Sequence, residues 1–294
     1  KEYLPKDIFS GIIIAAVSIP ISMGYAQISG IPAVYGLYGS VLPILLFALF
    51  STSRQFIFGV DAAPAAIVGG ALSTLGIAAE SEVAMDYVPA IALFAGLWLF
   101  IFFLLHADKI VDFISTPVMG GFISGIAVTI ILMQIPKLMG SPAGSGELLE
   151  LAEHIFAAAK NISWLSLFMG LGALILIRLF KKLAPKFPMA IVIMALGVFS
   201  TVVFHVDEKG VVLLQSVERG LPSLVIPDFG NVDLTQAAGR GLMVAVVIMA
   251  ETLLAENTFA FRNDYKLNDR QEILACAAGN IAAAAVGCCT VNGS

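Results

Sequence analysis

Eight stretches of about twenty predominantly apolar residues follow one another along the 294-residue chain, near positions 8–29, 32–50, 86–105, 116–136, 162–180, 187–205, 235–261 and 270–288. A hydrocarbon layer about 30 Å thick takes about 20 residues of α-helix to cross. Inside it a backbone must satisfy its own polar groups, which leaves helices or closed barrels. Runs this long and this poor in charge select helices. Composition agrees: 59% of the residues are hydrophobic, 13% are charged and the mean hydropathy is +0.95. Soluble domains carry about twice that share of charge, so a soluble enzyme and a disordered chain are both excluded. A formal net charge of −5 argues against a nucleic-acid partner. The expected fold class is an all-α polytopic membrane protein, with the lipid bilayer as its solvent.

One apolar run breaks the pattern. Residues 61–78 are rich in Gly and Ala, too short to cross comfortably, and preceded by the strand-like Phe56-Ile57-Phe58-Gly59-Val60. This reads as a half-helix that starts at mid-membrane. Cys288-Cys289-Thr290-Val291-Asn292-Gly293-Ser294 reads as a second lead of the same kind, cut off before its helix. The charged lead-in Lys1–Ser10 has no signal-cleavage pattern. Eleven of the 16 Lys and Arg fall on the N-terminal side of the membrane, while the opposite loops are acidic (Glu80/Glu82/Asp86, Glu147/Glu150/Glu153, Asp207/Glu208), which places the N-terminus in the cytoplasm. Cys276, Cys288 and Cys289 lie in an Ala-rich stretch and read as buried thiols. His106, His154 and His205 have no metal-ligand spacing, and no metal site or cofactor is expected.

Three acids sit at membrane depth, where an unsatisfied polar group is costly: Asp61, Glu251 and Glu256. Asp61 opens the half-helix in Gly59-Val60-Asp61-Ala62-Ala63-Pro64. A helix N-terminus offers free N–H donors and partial positive charge. Asp61 either caps that helix or takes up a proton beside an anion site. Glu251 falls near the middle of its span. Glu256, five residues on, points about 140° away around the helix, so the two cannot share one small site. Glu256 is expected to pair with Arg262 or Lys266, and Arg54 to anchor the cytoplasmic end of the second span. Pro20 and Gly24 in Ser18-Ile19-Pro20-Ile21-Ser22-Met23-Gly24-Tyr25 predict an irregular, closely approached helix, with Tyr25 facing a cavity.

Ile19-Pro20-Ile21-Ser22-Met23-Gly24-Tyr25-Ala26-Gln27-Ile28-Ser29-Gly30-Ile31-Pro32, followed by Tyr35-Gly36-Leu37-Tyr38-Gly39-Ser40 and Pro43, resembles the signature of the SulP (sulfate permease) family. So do Ala48-Leu49-Phe50-Ser51-Thr52-Ser53-Arg54-Gln55 and Gly59-Val60-Asp61-Ala62-Ala63. Further on, Thr258–Lys266, Gln271-Glu272 and Gly279-Asn280-Ile281 look like its eighth-to-ninth helix region, and Val291-Asn292-Gly293-Ser294 like the start of its tenth. The family includes bacterial relatives of the animal sulfate/chloride/bicarbonate exchangers. The resemblance implies fourteen segments in two inverted repeats, with segments one to nine and the start of ten in this chain. Core helices would lie at about 8–105 and 235–294 and gate helices at about 108–205, so 1–294 is part of a transport domain; the family's cytoplasmic STAS domain is not in this chain. It further implies an anion site lined by Tyr25, Asp61, Ala62, Ala63, Gly293 and Ser294, with Glu251 and Asp61 as coupling acids. Val60 stands where the family usually has Pro, and Ala255 where sodium-coupled members carry a hydroxyl, so a proton is the expected co-transported ion and sodium less so.

The expected function is secondary active transport of an inorganic anion (sulfate, bicarbonate or chloride, with dicarboxylates as a further option), by proton symport and alternating access. The expected setting is a homodimer in the bacterial inner membrane. A proton-coupled nucleobase transporter shares the architecture, and a non-transporting scaffold is a second alternative. Asp61 and Glu251 as an intramembrane aspartyl-type catalytic pair is a third, which the need for two carboxyls about 3 Å apart disfavours. No catalytic residue is expected.

Overall fold

The computed structural model describes residues 4–111, 116–142, 144, 148–183, 189–213, 220, 222–225 and 227–293. Helix dominates: α1 (Leu4–Ile28), α2 (Ala33–Gly39), α3 (Leu42–Phe50), α4 (Ala62–Thr74), α5 (Glu82–Leu105), α6 (Asp108–Val111), α7 (Thr116–Leu138), α8 (Leu148–Lys160), α9 (Trp164–Leu183), α10 (Met189–Phe204), α11 (Leu234–Arg262) and α12 (Asp269–Ala285). Two three-residue strands, β1 (Phe58–Val60) and β2 (Val291–Gly293), complete the order. Among the described residues, five stretches are long and apolar enough to cross a membrane: Asp7–Ile28, Ala33–Phe50, Glu82–Leu105, Trp164–Leu183 and Leu234–Arg262. Helix α4, with 13 residues, is about 20 Å long and cannot cross.

Three expectations change. The second span is divided into α2 and α3, with Ser40 and Val41 between them. Ser40 donates its hydroxyl to Ser22 Oγ at 2.8 Å and to Gly36 O at 3.0 Å, and Pro43 restarts the helix without needing an N–H acceptor. The first helix, by contrast, runs unbroken through Pro20. Close approach occurs not at Gly24, where a Cβ would meet nothing within 4 Å, but at Gly36, where it would run into the Ser22 carbonyl. Finally, α8 was not anticipated. It buries Leu151 and Ala158 and exposes Leu149 and Phe156, the pattern of a helix lying along an interface.

The chain forms two compact units. One comprises Lys1–Ile21 with Ile131–Ser216 and holds α8, α9 and α10, with Gly144 N donating to Met133 O and Ser163 N to Met139 O, both at 2.9 Å. The other comprises Ser22–Ile130 with Val217–Ser294 and contains the candidate site. In it α12 packs against α5 and α3, and α11 against α5. Lipid supplies little hydrophobic drive between helices, so tight backbone contact through small residues takes its place. Ala275, Ala277, Ala282, Ala283 and Ala284 of α12 are all buried. At Gly96 of α5 a Cβ would lie 2.9 Å from the Ile281 backbone nitrogen, so only glycine lets the two helices meet there. Leu99, Ile91, Ile248, Leu253 and Ile273 fill the space between.

Candidate anion site

The site is organised by two short leads that meet. β1 and β2 pair antiparallel, with Phe58 opposite Gly293, Gly59 opposite Asn292 and Val60 opposite Val291. Two strands of three residues cannot make a stable ladder in isolation, so neighbours must hold it. The Phe58 ring stacks on Phe47 of α3 at 4.1 Å between centroids and 4° between planes. Gly279 of α12 has no side chain because that ring fills the place where a Cβ would stand. Asn280, one residue on and fully buried, clamps the second lead: its Nδ2 donates to Val291 O at 2.9 Å and its Oδ1 accepts from Val291 N at 3.0 Å.

Pairing brings Asp61, the residue after β1, beside Asn292 in β2. Asn292 is fully buried and its side chain is the hub of the site. Its Nδ2 donates to Glu251 Oε2 at 2.9 Å and reaches Asp61 Oδ2 at 3.5 Å, the outer limit of a hydrogen bond. Its Oδ1 accepts from the Thr252 hydroxyl at 2.6 Å. The two acids set the orientation of the amide, because a flipped carbonyl would face groups that accept but cannot donate when ionised, and the Thr252 hydroxyl then holds Oδ1. Thr252 Oγ1 also stands 3.6 Å from Cys276 Sγ.

Asp61 occupies the N-cap position of α4, yet its side chain makes no capping bond. A cap normally bonds the N–H of the second or third helical residue, and here the third is Pro64, which has none. The carboxylate turns instead to the Ala62 N–H and to Asn292, so it faces the positive end of α4 without the usual capping bond. Of the other residues expected at the site, Tyr25 lies half-buried within electrostatic reach of Asp61. Ala62 is half-buried in the first turn of α4, Ala63 beside it is buried, and Gly293 is buried against Phe56 and Ile57. Ser294 lies outside the described residues.

Glu256 does not pair with Arg262 or Lys266. It is fully buried, neither carboxylate oxygen accepts a hydrogen bond from the described residues, and it faces Glu272. Arg54 holds its guanidinium over the Tyr265 ring, 5.7 Å from the centroid. The three cysteines are free and buried. Among the described residues no cluster of His, Cys, Asp or Glu is suited to a metal. The sequence reading missed Asn292 and Thr252 as parts of the site. The available signal was a lone Asn in an otherwise apolar lead, one residue before the Gly293 that it did single out.

The family model described as the sulfate permease family matches residues 4–294. The chain belongs to the sulfate permease family. Among curated relatives of this sulfate permease member, a protein named a probable sulfate transporter from Mycobacterium tuberculosis is 25% identical over 283 residues, covering 96% of this chain and 50% of that protein. The chloroplastic sulfate transporter 4.1 of Arabidopsis thaliana is 29% identical over 293 residues, covering 96% of this chain and 42% of that protein. The chain thus spans about half the length of the curated relatives it matches. Its fold is similar to the transmembrane domain of a cyanobacterium bicarbonate transporter, BicA, with a TM-score of 0.83, 20% identity, and coverage of 99% of this chain and 75% of that one. It is similar also to the murine Solute Carrier 26 family member A9 anion transporter in the inward-facing state, with a TM-score of 0.84, 16% identity, and coverage of 100% and 53%. The sulfate permease chain described here is therefore a multi-pass membrane protein of this fold.

Proposed function

We propose that the sulfate permease member is a secondary active transporter of a small inorganic anion, not an enzyme, and that the anion sits at the N-terminus of α4 beside Asp61, Asn292 and Tyr25. One observation carries the reading: a single buried amide, Asn292 Nδ2, reaches two membrane-depth carboxyls, Glu251 and Asp61, at the mouth of an uncapped short helix. Backbone N–H groups and the helix dipole attract an anion, while two ionised acids repel it. Taking up one proton, with Glu251 as its main carrier, removes that conflict and yields symport. Alternating access would move a core, holding α1–α5, α11 and α12, against a gate built from α7, α9 and α10, within the family's inverted repeat. The family reading adds a homodimer in a bacterial inner membrane with a cytoplasmic N-terminus. The names of the relatives favour sulfate, and the bicarbonate transporter of the same fold makes bicarbonate the alternative substrate.

The test is uptake by the full-length protein in proteoliposomes. Labelled sulfate competes there with bicarbonate, chloride, succinate and uracil, at two pH values, with and without sodium. Competition by anions alone, faster uptake at the lower external pH, and indifference to sodium support the reading. Competition by uracil, or dependence on sodium, overturns it.

A further inference from the structure

A second acid pair lies where α11 meets α12. Glu256, five residues beyond Glu251, is about 7.5 Å farther along the helix axis. It is fully buried, and among the described residues no N–H or O–H group donates to either of its oxygens. What faces it is Glu272 in the first turn of α12, also fully buried and within hydrogen-bonding reach. Glu272 has its own donors: the Ser51 hydroxyl at 2.7 Å on Oε2, and the Thr52 backbone N–H and hydroxyl, each at 2.5 Å, on Oε1. Three donors and a helix N-terminus are the surroundings of a carboxylate. Nothing of the kind remains for Glu256.

The other titratable groups facing Glu256 bring no positive charge. They are Asp269 and the Cys276 thiol, both on α12. Of the described cations near this end, Arg54 lies over Tyr265, Arg270 lies on the carbonyl and ring of Phe103, and Arg262 and Lys266 are exposed. Two facing, buried carboxylates without a cation cannot both be ionised, as in carboxyl dyads that share one proton. A single proton completes the cluster, because the Glu256 O–H then has an acceptor and Glu272 keeps its three donors.

We propose that Glu256 and Glu272 hold one proton between them, a proton-binding site separate from Glu251 and Asp61. The shared proton ties the end of α11 to α12 and, through Ser51 and Thr52, to the segment after α3. Loss of the proton sets two negative charges against each other and loosens this junction.

The experiment uses the full-length protein in lipid and infrared difference spectra between H2O and D2O. A protonated-carboxyl C=O band that persists in Glu251→Gln and disappears in both Glu256→Gln and Glu272→Gln is the expected result. Thermal unfolding supplies the second readout. The wild type should lose unfolding temperature as pH rises, and Glu256→Gln, whose amide can donate to Glu272 in place of the O–H, should lose that dependence. Glu256→Leu, which removes the charge while filling the space, should also lose both band and pH dependence. Survival of the band in both Gln variants overturns the proposal. So does a rise in wild-type unfolding temperature on adding sodium or magnesium at fixed pH, absent from Glu256→Gln, because a metal cation would then complete the pair.

Discussion

Removing the side chain of Asn292 tests how the site is held together. Asn292→Ala deletes the bond to the Glu251 carboxylate at 2.9 Å and the one from Thr252 at 2.6 Å. A hydrogen bond to a charged group contributes about 1.5–3 kcal/mol and a neutral one about 0.5–1.5 kcal/mol, so the variant should lose about 2–4.5 kcal/mol. Thr252→Val removes only the second bond and should cost about 1 kcal/mol. Because Thr252 and Asn292 share that bond, the two changes overlap. The double variant should then be less damaged than the sum of the singles by about 0.6 kcal/mol, the mean of couplings measured inside a membrane protein. The assay is reversible unfolding of the four proteins in the same mixed micelles at one pH. Additivity within about 0.3 kcal/mol would refute the claim that the Thr252 bond holds Asn292 in place.

Other perturbations probe the scaffold. Gly36→Ala drives a Cβ into the Ser22 carbonyl, which cannot yield without moving α1, and should cost about 1–3 kcal/mol in the same unfolding assay; Gly24→Ala, with open space around it, should be neutral or stabilising by up to about 1 kcal/mol. Phe58→Ala removes the stack on Phe47 and should cost about 3–5 kcal/mol, with anion affinity falling alongside as the two strands lose their support; Phe58→Leu should keep most of both. Ser51→Ala takes one of three donors from Glu272 and should cost about 1–2 kcal/mol while leaving anion affinity unchanged.

Much of the helix order was legible because length and hydropathy decide it: α5, α9 and α11 lie close to where apolar runs of membrane-crossing length placed them. The two leads were legible as well, from Phe56–Val60 and Cys288–Ser294, since a short extended segment before a small-residue run has few other uses. That they pair with each other was not, because strand partners as far apart as Val60 and Val291 leave no local mark. Glu251 and Asp61 stood out as charges in apolar spans. Asn292 and Thr252 did not, since neutral polar residues are common among packed membrane helices. Glu256 was assigned to Arg262 or Lys266 from proximity in sequence, whereas α12 returns to place Glu272 against it instead. The break at Ser40 was hidden in a continuous apolar run that hydropathy alone cannot divide, although Gly36, Gly39 and Pro43 flank it. Helix α8 was missed because thirteen amphipathic residues between acidic loops do not resemble a span.

Coupling through Glu251 is the central claim, and accumulation against a gradient measures it most directly. Proteoliposomes holding the full-length protein are given labelled sulfate and bicarbonate outside and an inwardly directed proton gradient. The wild type should concentrate one of the two anions above equilibrium. Glu251→Gln should still exchange that anion across the membrane, bind it with similar affinity, and fail to concentrate it. A Glu251→Gln protein that concentrates the anion as well as the wild type, with the same dependence on pH, would contradict the account.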